Sequence, residues 1–189
     1  MLKHLVVLAF LVTAFSVTSY ADDKLPLKVE CSGKHVVEFS GAEYPFNLSG
    51  EAKVSGAVLA KGGKDALKAI FGSLKDNENK DIDDNGEPVT DVSGKFDVAD
   101  DGAISGNVKI KWKVKGNSMS ISAKLEGTAT VKDGAVTSLT LKGTDVKVAG
   151  EWEWGGEEPA KLTGEGTLAV SSEKGGNGDK HDDHKEHKK

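Results

Sequence analysis

Three groups of residues in this chain could do chemistry. In "DIDDNG", Asp81, Asp83 and Asn85 place oxygen donors at alternate positions ahead of Gly86, and hard oxygen donors in a tight turn suit calcium. Near the C-terminus His181, His184 and His187 stand three apart, with Asp182, Asp183 and Glu186 between them. Imidazole mixed with carboxylate suits zinc, nickel or copper. Trp112, Trp152 and Trp154 are all the tryptophans of the chain, and indoles gathered at a barrel mouth line pockets for small apolar or amphipathic ligands.

The acidic stretch resembles the first half of an EF-hand loop, which runs D-x-[DN]-x-[DN]-G and ends on a bidentate glutamate at position twelve. Asp81, Asp83, Asn85 and Gly86 match positions one, three, five and six, but position eight is Pro88 and position twelve is Val92. A calcium shell of six to eight oxygens would therefore need Asp76, Glu78 or Asp91 to complete it. The competing reading is an acidic, solvated turn, since Asp, Asn and Gly form turns for reasons of their own. For the histidines, a tail without a fixed open coordination position can buffer a metal but not catalyse with it. The expected ions are Ca²⁺ at the loop and Zn²⁺ or a similar metal at the tail; no cofactor is otherwise implied.

Enzyme constellations are missing: the sequence has no G-x-S-x-G, no H-E-x-x-H and no P-loop, and His35 is the one histidine between the leader and the tail. A non-enzymatic role is expected. The chain carries 25 basic residues, all lysine, against 30 acids, for a net charge of −5. Without the arginine fork that grips phosphates and bases, an acidic chain is a poor binder of nucleic acid. Cys31 is the only cysteine, which excludes an internal disulfide; alternation with Leu25, Leu27 and Val29 puts it on the buried face of a strand, as a small hydrophobe.

The elements that must position these groups follow from the patterning. Residues 1–21 read as a secretory leader: Lys3 and His4, an apolar run from Leu5, then Ser19 and Ala21 flanking a cleavage point. The run is shorter than a bilayer span, and no second one follows, so the mature chain is expected to be secreted or periplasmic. Beyond it, strict alternation dominates. Val108, Ile110, Trp112 and Val114 share one face against Lys109, Lys111, Lys113 and Lys115, and Met119, Ile121, Ala123 and Leu125 repeat the pattern after "KGNS". "VADDGAI" and "VKDGAV" set Asp-Gly where hairpins turn.

The strands expected are 25–31, 35–40, 48–59, 91–99, 103–115, 118–132, 135–142, 145–154 and 161–171. Near Gly143 the apolar register flips from odd to even positions, marking a short turn or a bulge within one long strand. One segment, about 64–75, instead spaces Leu67, Ile70, Phe71 and Leu74 at helical intervals. The fold class is all-β: an antiparallel meander of about nine strands in a curved sheet, barrel or half-barrel, with one short helix between the third and fourth strands. Residues 22–172 form the single domain, and 173–189, with nothing apolar to bury, a disordered tail. The leading function is a binding protein holding a small apolar or amphipathic ligand in the sheet; the alternatives are a structural or surface-interaction domain with a solid core, meeting a protein partner, and an extracellular metal binder.

Overall fold

The computed structural model describes residues 24–77, 87–114, 116–153 and 159–172. Eight antiparallel strands close into one barrel in chain order: β1 (Lys24–Val37), β2 (Glu43–Ser55), β3 (Lys75–Asp76), β4 (Glu87–Val98), β5 (Ala103–Val114), β6 (Asn117–Lys132), β7 (Ala135–Trp152) and β8 (Ala160–Ser172), with β8 pairing back onto β1. Helices α1 (Gly56–Lys61) and α2 (Gly63–Phe71) lie between β2 and β3. Closure pairs the edges that an open sheet would expose.

The alternation read from the sequence sets which side chains enter the barrel. On β5 Ile104, Val108, Ile110, Trp112 and Val114 are buried while Ser105, Asn107 and the lysines face out. The Asp133-Gly134 turn has φ of 51° and 76°, the left-handed pair that a two-residue hairpin of the I′ type requires and that Asp-Gly supplies.

Several boundaries differ from the sequence reading. The strands expected at 25–31 and 35–40 are one, β1, because Ser32 and Gly33 stay in register with both β2 and β8, and it ends at Val37, with 38–40 in the turn to β2. The two strands expected at 135–142 and from 145 on are likewise one, β7, which ends at Trp152, and the flip at Gly143 is a bulge: its pairing with β8 slips between Gly143 and Lys147, and Asp145 takes φ 51°. Strand β2 stops at Ser55, not 59. Its expected end is helix α1, which Gly56 starts by running against the backbone of Val136 on β7, where a side chain would collide with the carbonyl. Consecutive left-handed residues, Gly62 (φ 70°) and Gly63 (φ 74°), then break α1 from α2. The helix pattern expected at 64–75 is α2, ending at Phe71, so two helices stand where one was expected.

The two helices close one end of the barrel. Leu59, Ala66, Leu67, Ile70 and Phe71 are buried against it, each large side chain contributing on the order of 2 kcal/mol. The β4–β5 and β6–β7 turns share this helix end. The opposite, loop end carries the β1–β2, β5–β6 and β7–β8 connections and the start of β4. Between the ends the core is tight: Val29, Leu48, Ile110 and Ile121 are 0 % exposed, so no water-sized void touches them.

Candidate functional site

The loop end gathers polar and aromatic side chains: His35, Phe46, Asp76 and Trp112 are buried there, and Tyr44 is 43 % exposed at its rim. His35 and Tyr44 are cross-strand partners on β1 and β2, and their rings stack with centroids 5.6 Å apart. Phe46, two residues further along β2, tilts against Trp112 of β5 at 6.1 Å. Glycines make room for that ring: a Cβ on Gly33 would sit 2.7 Å from Phe46 Cε1, and one on Gly166 would sit 2.9 Å from its Cζ. Inward glycines on β1 and β8 thus hold an aromatic ring, not empty volume.

Two polar groups stand in this apolar setting. Trp112 Nε1 donates to Asp76 Oδ2 at 3.2 Å, with both side chains buried. A charged acceptor makes such a bond stronger than a neutral one. His35 is 9 % exposed, and its Nδ1 is buried without a hydrogen-bond partner. Burial holds the imidazole below its ordinary range, and the Asp76 carboxylate pulls the other way. Burial thus favours the neutral ring, and Nδ1 is a buried polar atom with no hydrogen bond among the described residues.

The residues singled out from the sequence separate in space. Trp112 is a core side chain at 1 % exposure. Trp152 is half-buried at the loop end of β7, packed on the same core. Trp154 lies outside the described residues, as do Asp81, Asp83 and Asn85, and His181, His184 and His187. Of the groups proposed to complete a calcium shell, Asp76 points into the barrel and Asp91 stands exposed on β4 opposite Lys111. The two are on opposite faces of the wall and cannot serve one ion together. Among the described residues, no three His, Cys, Asp or Glu side chains are grouped to hold a metal. Cys31 is buried, and burial pushes its thiol up to about 12, which leaves it unreactive.

Sequence reasoning singled out neither His35 nor Tyr44. The signal available was His35 at an inward position of an alternating run, two residues before Val37 and four after Cys31. Asp76 entered only as a loop ligand, because β3 is too short to announce itself by alternation.

The outer wall carries its own pattern. Three lysines of the barrel surface are matched to acids: Lys28 with Glu30 at 2.8 Å, Lys34 with Glu43 at 2.8 Å and Lys124 with Asp145 at 2.6 Å. Lys109, Lys111 and Lys113 of β5 are exposed, and none has an ion-pair partner among the described residues. Compared with protein-family models, curated proteins and solved structures, the chain matches none. No helix among the described residues is long and apolar enough to cross a membrane.

Proposed function

We propose that the protein is a non-enzymatic surface-interaction domain, secreted or periplasmic, whose barrel is a scaffold and whose contacts are made on the outer wall. One observation carries this reading. Inward side chains from strands around the barrel, including Val29, Leu48, Phe96, Ile110, Ile121 and Leu141, are at most 1 % exposed. A ligand pocket of the usual few hundred Å³ would leave some of them in contact with a void. Opening one by displacing several such side chains would cost on the order of 2 kcal/mol for each. The test is native mass spectrometry of the full chain with a panel of fatty acids, fatty alcohols and a sterol. No one-to-one adduct is expected; a stoichiometric adduct with any of them overturns the reading.

A second reading has its own support. The unpartnered Nδ1 of His35, beside the stacked Tyr44, suits an amphipathic ligand bound shallowly at the loop end, its polar group bonded to the imidazole. On this reading the panel gives an adduct, and His35→Leu removes it.

A further inference from the structure

The surface reading leaves open what the wall meets, and the lysine row narrows it. Side chains two apart on a strand stand about 6.8 Å from one another on the same face, so Lys109, Lys111 and Lys113 form a straight row of three cations. In water, like charges at that spacing repel by roughly 0.6 kcal/mol per neighbouring pair, a small cost that no direct ion pair offsets among the described residues, Asp91 standing opposite Lys111 without forming one. Its neighbours on β6 are polar and uncharged. Ser122, Ser120 and Ser118 of β6 stand opposite the three lysines in order, and Lys147 of β7 stands beyond Ser122. On β4 the opposite residues are Ser93 and Asp91. Ser118 and Ser120 also border a shallow groove of about 380 Å³ on the outer wall, whose charged lining is Glu38, Glu151 and Lys161, so the cations that would hold an anion are those of the row and not of the groove. Thus a cationic row, a strip of hydroxyls and a groove lie side by side on a chain whose net charge is −5.

Resting on the surface-interaction reading, we propose that this face of β5 and β6 binds an acidic polysaccharide. Carboxylates or sulfates along the sugar chain pair with Lys109, Lys111 and Lys113, and sugar hydroxyls exchange hydrogen bonds with Ser118, Ser120 and Ser122. A lysine ammonium is a point charge that any anion satisfies without a fixed approach angle, which suits a flexible, repeating polyanion. Single-stranded nucleic acid fits less well: its bases bind by stacking on aromatic side chains, and the outward residues of β4, β5 and β6 include none.

Fluorescence anisotropy of labelled polygalacturonate tests the proposal, with neutral dextran and an oligothymidylate as comparison probes. The full chain should bind polygalacturonate but not dextran at low ionic strength and release it as salt screens the pairs. The triple variant Lys109→Gln, Lys111→Gln, Lys113→Gln should bind about tenfold more weakly or worse, with a shallower salt dependence. A control triple at the helix end, Lys53→Gln, Lys61→Gln, Lys64→Gln, removes the same charge and should stay within about twofold of the parent. All three row positions are exposed, and the three single variants, each weaker than the parent, carry the test should the triple misfold. The proposal is overturned if polygalacturonate does not bind, if both triples lose affinity equally, or if oligothymidylate binds more tightly through the same lysines. Any of these results without a lipid adduct sinks only this proposal, whereas a stoichiometric lipid adduct sinks the reading beneath it.

Discussion

His35 is the residue whose chemistry is most exposed to solution conditions. Its imidazole is buried on the inner face of β1, its Nδ1 has no partner, and burial lowers its pKa from 6.5. The groups facing it are the Tyr44 ring and, across the interior, the Asp76 carboxylate, which opposes the shift without overcoming it. The sign follows from linkage. Between the folded and unfolded pKa values the unfolded chain binds more protons, so stability is complete above about 6.5 and is lost as pH falls through the folded value. Urea midpoints measured from neutral to mildly acidic pH should fall, and His35→Gln should flatten that part of the profile. An identical slope in the variant would mean that the imidazole does not titrate differently in the two states.

At the scale of elements, the weak place is the seam between β2 and β4, bridged by a strand of two residues. Lys75 and Asp76 pair with Ser49 and Leu48 on one side and with Pro88 and Glu87 on the other. Flanking bonds from Asn77 N to Asn47 O at 2.8 Å and from Val89 N to Leu74 O at 3.1 Å extend the bridge by one residue each way. The side-chain bond from Trp112 to Asp76 ties it to β5. Trp112→Phe keeps an aromatic ring but removes the donor, and should cost about 2 kcal/mol, the range for a lost bond to a buried charge. Hydrogen exchange should then quicken at Lys75, Asp76 and Val89 before it does in β5–β6. A uniform increase across the barrel would argue that Trp112 matters only by its bulk. The long hairpins around this seam were legible because Val108 to Val114 and Met119 to Leu125 alternate strictly on either side of the turn. The seam was not, since two residues show no period, and α1 was hidden because Val54 to Leu59 also reads as strand until Gly56 meets Val136.

For the whole molecule, alternation pointed to an antiparallel curved sheet, barrel or half-barrel, and the break in β7 (as a turn or a bulge) and the Asp-Gly turn at 133–134 were readable for the same reason: each breaks or ends a period of two. What lies inside the barrel was not readable. The tryptophans suggested a lined pocket; in the structure Gly33 and Gly166 leave room for the Phe46 ring, and Trp112 packs beside it. Composition says which residues point inward, whereas the volume they leave depends on how eight strands coil around one another. The loop and tail metal readings rest on Asp81, Asp83 and Asn85 and on His181, His184 and His187, outside the described residues, and stay proposals for calorimetry with Ca²⁺ and Zn²⁺.

The filled interior is the claim on which the account turns, and Trp112 reports on it directly. In a Trp152→Phe, Trp154→Phe variant it is the sole indole, buried at 1 % exposure and bonded to Asp76. Titrating this variant with long-chain fatty acids and alcohols should leave its emission wavelength and intensity unchanged up to ligand saturation. A saturable change at one ligand per chain would show that the barrel opens to hold a guest, and would contradict the account.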